Sequence, residues 1–137
     1  MRISLIALAT TCVACSATGP HTVSPDSIAG TWNQISDLTP GGNELGLVIT
    51  ESGTAVSGTA SRPGLPASGS LSYRVSGQYR RPAISLTFVP LVNGRPVAGE
   101  SFTYTGQAVD TNTIVLDGFT MARGQQPVYA LLQRSRH

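Results

Sequence analysis

From Leu71 to Tyr79 the chain reads LSYRVSGQY, and every second residue is apolar or glycine. Leu71, Tyr73, Val75, Gly77 and Tyr79 fall on one side of an extended strand, and Ser72, Arg74, Ser76 and Gln78 on the other. A period of two belongs to a half-buried β-strand, because successive side chains leave a pleated backbone on opposite faces. On a helix the same pattern would spread the apolar residues around the whole cylinder. FTYTGQA repeats the rule, with Phe102, Tyr104, Gly106 and Ala108 set against Thr103, Thr105 and Gln107. ISLTF sets Ile84, Leu86 and Phe88 against Ser85 and Thr87, and ELGLVIT gathers Leu45, Leu47 and Ile49. No stretch beyond Ser27 holds a helical period without Gly or Pro interrupting it. The spacing predicts an all-β domain.

Turn residues cut this pattern into eight expected strands: Gly30 to Ser36, Glu44 to Glu51, Ala55 to Ser61, Ser70 to Tyr79, Ala83 to Val89, Glu100 to Val109, Thr113 to Met121, and Gln126 to Gln133. The punctuation is TPGGN, ESGT, RPGLPASG, RRP, VNGRPVAG, DTN and ARGQQP, all rich in the residues that turns require. Short links make successive strands antiparallel neighbours. An open meander of eight would leave two unpaired edges, and closing the first strand on the last removes both. The expected architecture is an eight-stranded antiparallel up-and-down barrel, with a two-sheet β-sandwich as the alternative. A barrel of eight strands either fills with side chains or holds one small ligand.

The start of the chain is built differently. Met1 and Arg2 precede an uncharged, mostly apolar run from Ile3 to Ala14. About a dozen such residues suit a signal-peptide core, whereas a spanning helix needs about 20. Ser16 to Ser27, SATGPHTVSPDS, is small, polar and proline-bearing, and reads as a flexible tether. Within the leader, Cys12 and Cys15 form a C-x-x-C spacing and are the only cysteines. A redox pair needs a thiolate-stabilising environment, and no cation stands beside CVAC. Zinc would need further ligands, and only His21 and His137 offer imidazoles. Ala14 before Cys15 instead resembles a bacterial lipobox, with Cys12 where the pattern usually has Leu. That resemblance implies cleavage before Cys15, lipid on Cys15, and a membrane anchor on the extracytoplasmic side of the cell envelope, at the outer membrane. A secretory signal with a freely secreted product is the alternative. The expected organisation is a signal peptide over 1–14, a tether over 15–28 and one domain over 29–137.

Charge excludes some partners. All nine basic residues are arginines and the net charge is +2, falling to about +1 without Arg2. So weak and dispersed a charge does not argue for nucleic acid. The one basic cluster, YRRP at Tyr79 to Pro82, reads as a solvated strand end. No catalytic constellation is visible. A hydrolytic triad needs a held histidine, and His21 lies in the tether while His137 is the final residue. Asp110 and Asp117 flank one hairpin, where turn and strand-end roles explain them. The expectation is a non-enzymatic protein without metal or cofactor.

Gly30-Thr31-Trp32 opens the first strand, and Arg134 follows the last one, VYALLQ. A Gly-x-Trp at the start of an eight-stranded meander resembles the calycins, the lipocalin and avidin group. The resemblance implies that Trp32 plugs one barrel end beneath the Arg134 guanidinium, a cation–π contact with a structural role. GTWNQ, VSGTA, VSGQY, ISLTF and YTGQA also look like the strand series of avidin-type proteins, in order. The likeness stops at the pocket. Avidin pockets have several tryptophans and this chain has one, the pocket tyrosine of the third strand falls near Ala60, and Asn33 and Gln34 change faces. Biotin is not an expected ligand.

Two functions follow as expectations. The inward aromatics Tyr73, Tyr79, Phe88, Phe102 and Tyr104 are candidates to line a site for a small, partly apolar ligand. Alternatively, these rings fill the core and the barrel is an envelope interaction protein, presenting RPGLPASG and VPLVNGRPVAG to a protein partner through Leu65, Leu91, Val92 and Val97.

Overall fold

A computed structural model describes residues 23–35, 45–62, 70–121 and 130–136, the side chains of 119–121 excepted. The leader, Cys12, Cys15, His21, Leu65 and the loops TPGGN and ARGQQP lie outside the described residues. The strands are β1 (Gly30–Ile35), β2 (Gly46–Ser52), β3 (Ala55–Arg62), β4 (Leu71–Arg80), β5 (Ala83–Val92), β6 (Arg95–Pro96), β7 (Phe102–Asp110), β8 (Thr113–Met121) and β9 (Ala130–Arg134).

All pairings are antiparallel, and the sheet runs β4-β3-β2-β1-β9-β8-β7-β5, with β4 pairing β5 to close the ring. The protein is thus a closed eight-stranded up-and-down barrel, and the two-sheet sandwich does not form. Closure satisfies the ladder groups that an open sheet would leave bare. The ninth strand, β6, is a two-residue addition to the end of β5.

The alternation sets which side faces in. Trp32, Leu47, Ile49, Val56, Ala60, Val75, Ile84, Leu86, Phe88, Ala108, Ile114, Leu116 and Leu132 are buried together, while Ser57, Thr59, Arg74, Ser76 and Gln78 between them are exposed. Gly77 sits among the inward residues of β4. A Cβ there would lie 1.9 Å from the Ser85 carbonyl oxygen, and one at Gly106 would lie 2.0 Å from that of Val115. These glycines therefore let neighbouring strands approach closely.

One loop was expected where a hairpin stands. The turn residues of VNGRPVAG predict a plain connection, but β5 runs on to Val92, turns at Asn93-Gly94 and returns as β6. Both turn residues have left-handed φ, 52° and 74°, the conformation of a type I′ hairpin turn and the reason Asn-Gly favours it. The Val97 amide then donates to the Pro90 carbonyl at 2.9 Å. This hairpin extends β5 past its pairing with β7, which ends at Phe88↔Phe102.

Candidate functional site

The barrel has two unlike ends. One gathers the start of β1 with the ends of β2, β4 and β9. Pro25 to Ala29 lies across it, with Pro25 and Ile28 buried. Trp32, fully buried, donates its indole N–H to the Ile28 carbonyl at 2.8 Å. The Glu51 carboxylate accepts from the Ile28 amide at 3.0 Å and from the Ser27 hydroxyl. Arg81 forms an ion pair with Asp26.

Arg134 seals this end. Its guanidinium carbon stands 4.5 Å from the Trp32 ring centroid, a cation–π contact of about 0.5–2 kcal/mol. Its Nη1 donates to the Ala29 carbonyl at 2.6 Å and its Nε to the Thr111 carbonyl at 2.7 Å. Gly30 makes this fit possible. Its φ is +137°, and a Cβ on it would lie 2.6 Å from Arg134 Nη1, so both backbone and space require glycine.

Tyr79 belongs to this end, apart from the other four rings. Its hydroxyl donates to the Pro25 carbonyl, and burial pushes its pKa up, with Arg81 opposing and Glu51 and Asp26 reinforcing the shift. Period two fixes the face of a residue, not the barrel end it reaches. Tyr79 shares a face with the other rings, but its hydrogen bond to Pro25 sets it at the stoppered end.

The other four rings meet at the opposite end, the mouth. Phe88 and Phe102 stack, with centroids 5.1 Å apart and planes 4° from parallel. Tyr73 stands edge-on to Phe102 at 5.7 Å, and Tyr104 edge-on to Phe102 at 5.9 Å. Such geometries match ring edges to ring faces. Phe88 and Tyr104 are buried, while Tyr73 and Phe102 are half-exposed. Leu71 and Val92 stand on the rim at 47% and 60% exposure. Of the other loop residues expected to be exposed, Leu91 and Val97 are half-buried.

Two polar side chains complete the mouth, and neither was singled out from the sequence. Gln34 follows Trp32 by two residues and is buried. Arg62 ends β3 two residues after buried Ala60, so it also takes an inward position. Its Nη2 donates to Gln34 Oε1 at a long 3.3 Å. Its Nε is buried and meets no hydrogen-bond acceptor among the described residues. An unmet buried donor costs about 1–3 kcal/mol. Burial raises the Tyr104 pKa, and the nearby Arg62 charge pulls it back down while Tyr73 adds to the rise. Counting by twos from Val56 would have turned Arg62 inward, but the sequence pattern ended that strand at Ser61.

Two concavities lie on the outer wall. One, of about 440 Å³, crosses β1 to β5 beside Thr31, Val48, Thr59, Ser61, Ser72 and Leu91. The other, of about 290 Å³, is lined by Gln78, Arg80, Ser85 and Thr105. Asp110 caps its own turn, its carboxylate accepting the Asn112 amide at 2.7 Å.

Neither protein-family models nor curated proteins give a match to the chain. The molecule is defined by its own geometry: an all-β closed meander barrel, stoppered at one end and lined with aromatic rings at the other.

Proposed function

We propose that the protein is a lipid-anchored binding protein of the cell envelope, non-enzymatic, which takes a small, partly apolar ligand at its barrel mouth. The observation that carries this reading is the mouth itself. Half-exposed Tyr73 and Phe102 lie inside a rim where Leu71 and Val92 stand in water. Apolar surface with a few convergent polar groups is the usual make-up of a small-molecule site. The rings behind are packed against one another, so the site is shallow and the ligand rests on them. Anchorage through lipid on Cys15 agrees with the polarity of the barrel: the chain enters at the stoppered end, which leaves the mouth facing away from the membrane.

Titration with naphthylacetamide, a neutral aromatic probe, tests the mouth. Saturable binding that Phe102→Ala weakens at least fivefold supports the reading. No binding, or binding indifferent to Phe102→Ala, Leu71→Ser and Val92→Ser, overturns it. The intact mass of membrane-extracted protein tests the anchor. A diacyl or triacyl increment on a chain beginning at Cys15, absent in Cys15→Ser, supports it; an unmodified secreted chain refutes it.

A further inference from the structure

We infer that the mouth is selective for a carboxylate: its ligand is a small organic acid whose anionic end is held by Arg62 and whose apolar body lies on the aromatic rings. This rests on the mouth being a binding site, and it adds the chemical class. A guanidinium presents Nε–H and a neighbouring Nη–H side by side, the spacing that fits the two oxygens of a carboxylate. In Arg62 one arm of that fork holds Gln34 Oε1 at 3.3 Å. The other arm, Nε, is buried and without an acceptor among the described residues.

The contrast with Arg134 gives this unmet donor meaning. At the stoppered end Arg134 Nε and Nη1 donate at 2.7 and 2.6 Å to backbone carbonyls. Arg62 has no such carbonyl and no carboxylate partner among the described residues. Buried donors in native proteins almost always have an acceptor, and a ligand carboxylate is the acceptor that this position fits. Gln34 holds the guanidinium plane from one side. The long bond between them can shift as the fork turns to an incoming anion.

The body of the ligand follows from what surrounds the fork. Register places Arg62 opposite Leu71 on β4, and Ala60 opposite Tyr73. Tyr73 then contacts Phe102 and Phe88 edge-on. An acid with a flat or short apolar body reaches Arg62 while covering half-exposed Tyr73 and Phe102. A long chain gains nothing further, because the interior beneath is packed with Val75, Leu86 and Leu116.

The test compares naphthylacetate with naphthylacetamide, which share a body and differ in charge, by calorimetric titration of the full chain. The acid is expected to bind about 10- to 100-fold more tightly, the range of a charge-assisted pair over a neutral one. Arg62→Gln should abolish that preference while leaving the melting temperature in place. Arg62→Lys, which keeps the charge and loses the fork, should keep only part of it. Arg95→Gln, at the exposed rim, should leave it intact. Equal affinity of acid and amide in the native protein overturns the carboxylate inference and leaves the mouth reading standing. A preference that survives Arg62→Gln overturns it as well. Binding of neither probe overturns both.

Discussion

The two ends of this barrel use the same two kinds of residue, an inward arginine and aromatic rings, to opposite effect. At the stoppered end Arg134 lies over Trp32 and two of its nitrogens hold carbonyls at 2.6 and 2.7 Å. At the mouth, among the described residues, Arg62 has one long bond to Gln34 and a buried Nε without an acceptor. Trp32 is sealed beneath Pro25 to Ala29, whereas the mouth leaves Leu71 and Val92 in water. A satisfied end contributes stability. An end with an unmet buried donor forgoes part of that stability. Substitutions at the two ends should therefore read out differently, in stability at one and in binding at the other.

The largest difference is expected between Trp32→Ala and Phe102→Ala. Removing a fully buried indole costs about 3–5 kcal/mol, and here the Ile28 carbonyl and the Arg134 guanidinium lose a partner as well. Phe102 is half-exposed, so its loss should cost about half as much and fall mainly on ligand affinity. Chemical denaturation of both variants measures this, and equal costs would erase the distinction between the ends. Gly77→Ala comes next. Its Cβ would meet a backbone oxygen at 1.9 Å, so the wall between the ends must shift, at about 3 kcal/mol.

The strand pattern was legible because closure demands strict alternation. Thr113–Met121 agrees end to end, and β3, β4 and β7 differ from expectation by a residue or two. Leu45, Leu47 and Ile49, expected together, are all buried. The turns were less legible: Asn93-Gly94 is a strong hairpin signal, but RP after it has no strand propensity, and β6 is a strand only because β5 offers its edge. The site was legible in its rings and not in its polar members. A charged or amide side chain near a strand end reads as solvated, although counting by twos from Trp32 and from Val56 turns Gln34 and Arg62 inward. Tyr79 parted from the other rings because the height of a residue in a barrel depends on strand stagger.

Smaller effects sharpen the contrast. Tyr79→Phe removes the donor to the buried Pro25 carbonyl and should cost about 1–2 kcal/mol without changing ligand affinity. Arg62→Met should cost nothing or stabilise the protein slightly, because it deletes an unmet buried donor and keeps much of the side-chain volume. Thermal melts rank the pair. A destabilisation by Arg62→Met as large as that by Tyr79→Phe would show that Arg62 holds the fold.

The smallest expected effect is the most local, because each end carries one tyrosine whose pKa is raised above 10.0 chiefly by burial and held back by one arginine, Arg81 for Tyr79 and Arg62 for Tyr104. The protonated phenol is neutral, so the folded protein keeps both protons at a pH where the unfolded chain releases them. The resulting stability is complete below about pH 10 and is lost as pH rises through the folded values. Following tyrosinate absorbance with pH, with Tyr→Phe variants to assign the steps, separates the two. Arg62→Gln should raise the Tyr104 step and leave Tyr79 in place, and Arg81→Gln should do the reverse. A carboxylate seated at the mouth should act as Arg62→Gln does, because its charge cancels that of the guanidinium beside Tyr104. Ligand that moves the Tyr79 step instead would place the occupied end of the barrel opposite to the one proposed.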